Sequence, residues 1–210
     1  MKKNHAFQKY TEKYDQWFDE NRPAYEAELR AVGSLLPDKR NGIEIGAGTG
    51  RFAVPLGVKL GVEPSLNMGG IAKNRGIHLI NAYAENLPLK NAAFDFVLMV
   101  TAICFLDDVH KAFLEANRIL KRTGYFIVGM IDRQSYLGRL YSEKQNKSVF
   151  YKNAHFYSVN EIIQLMRQSG FNEFLFRQAL FKNHEAENVK KVVSGYGEGA
   201  FVVIRGRKRR

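Results

Sequence analysis

Apolar side chains recur every three or four residues from Phe7 onward. Phe7, Tyr10, Tyr14, Trp17 and Phe18 fall down one face of "FQKYTEKYDQWFDE", the period of a helix with one buried side. "RPAYEAELRAVGSLL" repeats the pattern, with Pro23 tolerable in a first turn and Pro37 beyond the end. The spacing predicts helix over residues 7–36. The pattern then changes period. "NGIEIG", "VKLGVEP", "HLINAYA", "FDFVLMVT" and "GYFIVGMI" are short, near-continuous apolar runs, the signature of strands buried on both faces. Between the last two, "DDVHKAFLEANRILKRTG" returns to helical spacing. Val109, Phe113, Ala116 and Leu120 form its apolar face, Asp107 or Asp108 can cap it, and Gly124 is placed to stop it. Strands separated by helices predict a parallel sheet covered on both sides.

Beyond residue 132 the regularity lapses into the polar, aromatic and basic stretch "DRQSYLGRLYSEKQNKSVFYKNAHFY", which predicts a small helical or loop insertion. "SVNEIIQLMRQSGF" is a further helix, with Ser158 and Glu161 at capping-box spacing and Gly170 as its stop. "FLFRQALF" and "EGAFVVIRG" read as two last strands. The polar segment joining them is too short for an obvious crossover helix, so this pair is expected to be antiparallel.

Length and composition narrow the class. A chain of 210 residues with 45% hydrophobic and 25% charged residues suits one globular domain with a sizeable core. Cys104 is the lone cysteine and lies in an apolar run, so no intrachain disulfide forms and the thiol is expected to be buried and inert. No apolar run approaches a membrane span, and "MKKNHAFQKYTEKYDQWFDE" lacks the apolar core of a secretory signal; a cytoplasmic location is expected. The net charge of +11 raises the question of a nucleic-acid partner. Five of the basic residues sit in the terminal "RGRKRR", and others are scattered through segments such as "LKRTG" and "FKNHEAENVKK". Charge alone therefore marks no continuous binding face.

The chemistry concentrates in "RNGIEIGAGTGRFAVPL", residues 40–56. A glycine loop directly after a strand lets backbone approach a nucleotide-like ligand, with its amides pointing at it. Dinucleotide binding calls for G-x-G-x-x-G. Gly46 and Gly48 fill the first two places, but Arg51 holds the third, and Gly50 makes the run G-x-G-x-G. Glu44 brings a carboxylate to the loop, a poor neighbour for a pyrophosphate and a good one for an ammonium group or the loop's own amides. Glu63 ends the second strand, where it can accept from both hydroxyls of a ribose. "NAYAENLPLKNAAFDFVLMV" places a further loop before the fourth strand.

The set "IEIGAGTGRFA", "LGVEPS", "AENLPLKNAAFDFVLMVTAICFL" and "ANRILKRTGYFIVGMID" resembles the class I S-adenosylmethionine-dependent methyltransferases. Among them it is most similar to the small-molecule type typified by the ubiquinone and menaquinone biosynthesis C-methyltransferases. The resemblance covers roughly residues 40–180. It implies an α/β, doubly wound, Rossmann-like sheet of seven strands, mostly parallel with one antiparallel strand and helices on both faces. It implies S-adenosylmethionine as cofactor and S-adenosylhomocysteine as product. Glu44, Gly46, Ala47, Gly48 and Gly50 would border its methionine and ribose portion, Glu63 and Pro64 the ribose, and Ala84 and Glu85 the adenine. Thr101 would lie beside the sulfonium. Two departures stand out. Tyr83 occupies the place where the family usually carries an acidic residue, leaving Glu85 or backbone to meet the adenine edge. The helix after the glycine loop is cut short by Pro55.

On this reading residues 1–210 form a single methyltransferase domain. It comprises a helical cap (1–38), a cofactor-binding half (40–132), a substrate-side insertion (133–157) and a C-terminal helix and strand pair (158–210). The expected partner is a small-molecule methyl acceptor, the protein being a monomer or weak homo-oligomer with no metal. No catalytic residue is identified; His155, Tyr157 and Tyr14 are the candidates, His155 as a base and Tyr14 either as core or, with Trp17, as part of a lid over the cofactor. Two alternatives stay open: an RNA or other nucleic-acid methyltransferase, and a cofactor-binding protein without catalysis. Against the first, the turn after the fourth strand reads "TAICFL", without the N-P-P-[YF]-like or Pro-Cys motifs of such enzymes.

Overall fold

Strand parity organises the molecule. The computed structural model describes residues 5–38, 41–182 and 191–209. Three helices, α1 (His5–Lys9), α2 (Thr11–Glu20) and α3 (Arg22–Gly33), precede β1 (Gly42–Ile45), β2 (Leu60–Val62), α4 (Leu66–Asn74), β3 (His78–Ile80) and β4 (Phe94–Val100). Then come α5 (Val109–Ile119), β5 (Leu120–Ile131), α6 (Tyr136–Glu143), α7 (Val159–Gln168), β6 (Phe171–Ala179), β7 (Val193–Ser194) and β8 (Phe201–Lys208). The strands form one sheet in the order β3-β2-β1-β4-β5-β8-β6-β7.

Side chains alternate across this sheet as a period of two requires. Val97, Met99, Phe126, Val128, Met130, Val202 and Ile204 face one core, shared with α5 and α7. Phe96, Leu98, Val100, Ile127, Phe201 and Val203 face the other, shared with α3 and the segment after the glycine loop. The order reverses between β1 and β4, and that opens a crevice at their carboxyl ends.

The expected doubly wound sheet is present, with four corrections. It has eight strands rather than seven, because the two-residue β7 pairs with β6. Two strands, β7 and β8, run against the rest, since β8 is antiparallel to both β5 and β6. Gly124 does not stop α5: the helix ends at Ile119 and Leu120 already pairs with Phe94, so Gly124 lies inside an irregular stretch of β5. The shortened helix expected after the glycine loop is instead a series of turns over residues 51–57, closed by bonds such as Val58 N to Ala53 O at 2.9 Å. Pro55 has no amide hydrogen to continue a helix there.

The capping predictions carry over. Asp108 accepts from the Lys111 amide at 2.9 Å at the start of α5. Ser158 and Glu161 form the reciprocal capping box of α7. Among the described residues no helix is long and apolar enough to cross a membrane.

Candidate functional site

The crevice at the switch point holds an open cleft lined by residues from the ends of β1, β2 and β4 and from the N-terminal helices, at the place where ligands bind in such sheets. Its floor is Gly46 and Gly48 from the loop after β1. Both sit at positive φ, 72° and 55°, a conformation that a side chain opposes. A Cβ on Gly46 would come within 2.7 Å of Ala102, and one on Gly48 within 3.2 Å of Met68. The glycines thus leave a cradle that any side chain would fill.

Glu63 forms one wall. Its Oε2 accepts from the Gly48 amide at 3.0 Å and its Oε1 from the Ser65 amide at 2.9 Å. Burial raises its pKa and these two amides pull it part of the way back. Two fixed backbone donors hold the carboxylate in one orientation at the cleft, with acceptor capacity left over. Pro64, Ala84, Glu85 and Thr101 also line the cleft. Glu85 is already engaged: its Oε1 accepts from the amides of Asp107 and Asp108 at 3.0 and 3.3 Å, tying the loop after β3 to the start of α5.

Three expected site residues do not line this cleft. Ala47 is buried beneath it, its amide bonded to Val62 O at 3.0 Å. Gly50 closes the loop by bonding Ala47 O at 2.8 Å. Glu44 lies between Ile43 and Ile45, which face the α5 and α7 core, so parity turns its side chain to the opposite layer. There its carboxylate takes a hydrogen bond from the Ala53 amide, while Oε2 is buried without a partner. Burial pushes its pKa up to about 8.

That shift has a pH consequence. Between its ordinary value of 4.5 and about 8, Glu44 ionises in the unfolded chain but stays protonated in the fold. The unfolded state then binds fewer protons, and stability falls as pH rises across this window. A limit of ~1.4 kcal/mol per pH unit applies to each such group. Thermal melts of the ligand-free protein between pH 5 and pH 8 are expected to show a declining Tm. Glu44→Gln should flatten the decline, and an unchanged slope in that variant would reject the assignment.

The N-terminal helices cover the cleft. Phe7 and Tyr14 line it and meet edge to face at 5.5 Å. Burial, and then the nearby Glu63 charge, push the Tyr14 phenol well above its ordinary pKa, with the neighbouring Thr101 hydroxyl acting the other way. The phenol is therefore a neutral donor. Arg51, the residue in place of a third glycine, fastens this cover. Its guanidinium binds Asp15 at 2.9 and 2.8 Å and Asp19 at 2.9 and 2.7 Å. Arg75, just past α4, takes the same Asp15 carboxylate at 2.6 Å through both terminal nitrogens. The expected aromatic stripe thus divides. Phe7 and Tyr14 face the cleft, Phe18 is core, Trp17 is half-buried against Phe18, and Tyr10 is exposed beside Phe150.

A second, smaller cavity shares Thr101 with the first. Cys104, Met130 and Ile131 form its strand side, and Tyr141, Tyr151, Phe156 and Tyr157 its aromatic side. Tyr141 and Tyr151 stack at 5.2 Å. Tyr157 thus belongs to a cavity wall. His155 is exposed, its ring against Tyr157 at 4.4 Å and its amide bonded to Cys104 O at 2.8 Å; it does not line either cavity. Thr101 at the shared wall has φ 52°, an outlier for a β-branched residue, of the kind that clusters at functional sites.

Sequence reasoning passed over Phe105, Leu106 and Asp107, which line the cleft from the 3-10 turn after β4. Their signal was the same "TAICFLDD" that closed off a nucleic-acid motif. It also passed over Met68 of α4, a helix whose only clear mark is Ser65, its cap.

Comparison with known proteins agrees with this geometry. A family model described as a methyltransferase domain matches residues 43–128. The Methanocaldococcus jannaschii protein MJ1123, described as uncharacterized, is 46% identical over 97% of this chain and 98% of its own length. A Thermotoga maritima crystal structure is 56% identical, with a TM-score of 0.94 over 98% of this chain and 100% of that one. It is described as a SAM-dependent methyltransferase, possible histamine N-methyltransferase. An Archaeoglobus fulgidus SAM-dependent methyltransferase shares the fold at 13% identity, with a TM-score of 0.71 over 93% and 99% of the two chains.

Proposed function

The chain belongs to the S-adenosylmethionine-dependent methyltransferases, and from that premise we propose that its acceptor is a small molecule held in the aromatic second cavity. The observation that carries this reading is the wall at Thr101, common to both cavities. A methyl group at the cleft and a nucleophile in the aromatic cavity would face each other across that residue.

The cofactor supplies a methyl group already activated by positive sulfur. The work left to the protein is alignment and exclusion of water, which can contribute effective molarities on the order of 10⁵ M or more. The residues at the cleft suit this division. Gly46 and Gly48 would let backbone lie against the ligand, and the Glu63 carboxylate would accept from the ribose hydroxyls. Phe105, Leu106 and Ala84 would border the adenine. Phe7 and Tyr14 would close the cleft over the sulfonium, Tyr14 keeping its proton and offering a ring face to positive charge.

The nucleic-acid alternative loses its main support, since basic residues near the C-terminus are engaged internally. Lys208 donates to the carbonyls of Asn117 and Leu120 at the end of α5, at 2.6 and 2.7 Å. Arg205 bonds Leu35 O at 3.1 Å and lies 4.7 Å from the Tyr125 ring, and Arg207 pairs with Glu173 at 3.0 Å.

The test is a transfer assay with methyl-labelled cofactor, run in parallel on a small-molecule cell extract and on total RNA. Label is expected in the small-molecule fraction, and Tyr151→Ala should lower that transfer about tenfold or more, the loss of one large aromatic contact. S-adenosylhomocysteine affinity should hold in the variant. Label in RNA alone would overturn the reading.

A further inference from the structure

Among the described residues, none that lines the aromatic cavity is an Asp, Glu, Lys, Arg or His. Its polar side chains are Thr101, Cys104 and three phenols, those of Tyr141, Tyr151 and Tyr157. Two of these groups are engaged within the chain. The Thr101 hydroxyl shares a hydrogen bond with the Tyr14 phenol, and Cys104 Sγ donates to Thr101 O at 3.7 Å. Burial raises all three cavity phenols above their ordinary range, so each keeps its proton at neutral pH. The lining thus presents O–H donors and no counter-charge. An ionised molecule entering it would give up hydration that nothing there replaces.

Tyr151 is the most firmly held of the three phenols. Its ring is stacked between Phe105 at 5.9 Å and Tyr141 at 5.2 Å, and Phe156 packs against it at 5.6 Å. Both ring faces are taken, so what the residue can present to a ligand is its hydroxyl. Among the described residues that hydroxyl has no hydrogen-bond partner, yet it is not sealed off. The sealed side-chain oxygens without a partner belong to Glu44, Thr49, Ser169 and Asn172. Burial holds the Tyr151 phenol well above its ordinary pKa, away from bulk water, and the space it borders is the cavity. Phe105 is also a wall of the cofactor cleft, so the ring that fixes Tyr151 ties its hydroxyl to the place of the cofactor. A donor already fixed in this way loses little freedom when a ligand binds.

We propose that the methyl acceptor is an uncharged, mainly apolar small molecule, oriented by a hydrogen bond from the Tyr151 hydroxyl to a neutral acceptor atom such as a carbonyl oxygen. The inference rests on the reading that the second cavity takes the methyl acceptor, and it deepens that reading by naming the chemical class. Apolar and aromatic walls reward burial of apolar surface. The one polar demand comes from an unpaired donor, which costs free energy until a ligand supplies its acceptor. A hydrocarbon of the same shape would bury that donor unsatisfied, and an ion of the same shape would lose its hydration without a counter-charge. Tyr151 is a specificity-determining residue on this account. It touches the acceptor and takes no part in the reacting bond.

The probes are four molecules of one shape: acetophenone, its hydrocarbon isostere α-methylstyrene, and the ions benzoate and benzamidinium. Each is titrated by calorimetry into the protein saturated with S-adenosylhomocysteine. Acetophenone is expected to bind at least about tenfold more tightly than either ion. Its advantage over the hydrocarbon should be about fivefold or more, the cost of leaving one buried donor unmet. In Tyr151→Phe, which keeps the stacked ring, acetophenone and α-methylstyrene should bind alike, while S-adenosylhomocysteine affinity is unchanged. An ion that binds as tightly as acetophenone would overturn the uncharged class. A carbonyl preference missing from the wild type, or surviving in Tyr151→Phe, would overturn the role of Tyr151. Either result leaves the cavity reading standing, whereas failure of all four probes to bind would overturn that reading as well.

Discussion

Glu63→Ala is expected to weaken S-adenosylhomocysteine binding by about 1.5–3 kcal/mol, roughly tenfold to 150-fold, the range for hydrogen bonds to a charged group. The loss has two sources. The first is the acceptor that the ribose hydroxyls would use. The second is the loop itself, since the same carboxylate receives the Gly48 and Ser65 amides at 3.0 and 2.9 Å. Without it, two buried donors lose their partner and the glycine cradle loses the group that fixes its position. Glu63→Gln should not rescue binding. Both oxygens face N–H donors, so an amide must set its own NH2 against one of them. Calorimetry on the two variants, with melting curves to confirm folding, checks this; an unchanged Kd in folded Glu63→Ala would remove Glu63 from the site.

Glu63 was legible in the sequence for a local reason. It ends a strand beside a glycine loop, and strand order then decides where it must lie. The strands themselves, α5 and the capping box of α7 were legible because period and cap chemistry are properties of a few adjacent residues. Other features depend on pairing across the chain. β7 is two residues long and exists only because β6 is there to bond it. Gly124 looked like a helix stop, yet pairing of Leu120 with Phe94 ended the helix five residues earlier. That Glu85, which lines the cleft, also receives the amides of Asp107 and Asp108 on one oxygen was out of view in the sequence.

The aromatic cavity shows the same limit more strongly. Its walls come from residues 101, 103–104, 130–131, 141, 151 and 156–157, and no spacing rule joins those positions. Buried Glu28 passes unmarked within "RPAYEAELRAVGSLL", since a single carboxylate on an apolar face does not disturb a periodic pattern. Arg51 was noticed for what it excluded, a third glycine. What it does, holding Asp15 from 36 residues away, required the fold.

Asp15→Ala is expected to release the cover of the cleft. Burial by itself would raise the Asp15 carboxyl, but hydrogen bonds from Arg75 and Arg51 override it and hold the group far below its ordinary value. Its side chain is 14% exposed, and those of Arg51 and Arg75 are 16% and 29% exposed, so the three charges are partly withdrawn from water. Removing the shared carboxylate leaves Arg75 without its acidic partner and Arg51 held to α2 by the exposed Asp19 alone. Breaking a fully buried pair costs 3–5 kcal/mol; with this exposure about 2 kcal/mol is the expected cost. That cost falls on the closed position of α2, because Arg51 and Arg75 belong to the loop and α4 side while Asp15 belongs to the cover. Apparent cofactor affinity scales with the closed fraction, and a fall of about tenfold in S-adenosylhomocysteine binding follows if closure is marginal. Hydrogen exchange over residues 7–20 reads the cover directly. In the wild type it should slow when S-adenosylhomocysteine is added, with a change in Trp17 fluorescence; in Asp15→Ala it should be fast without ligand and only partly slowed with it. Equal protection of this segment in the wild type with and without ligand would make Phe7, Tyr14 and Trp17 fixed core, and opening of the site would then fall to residues 133–157.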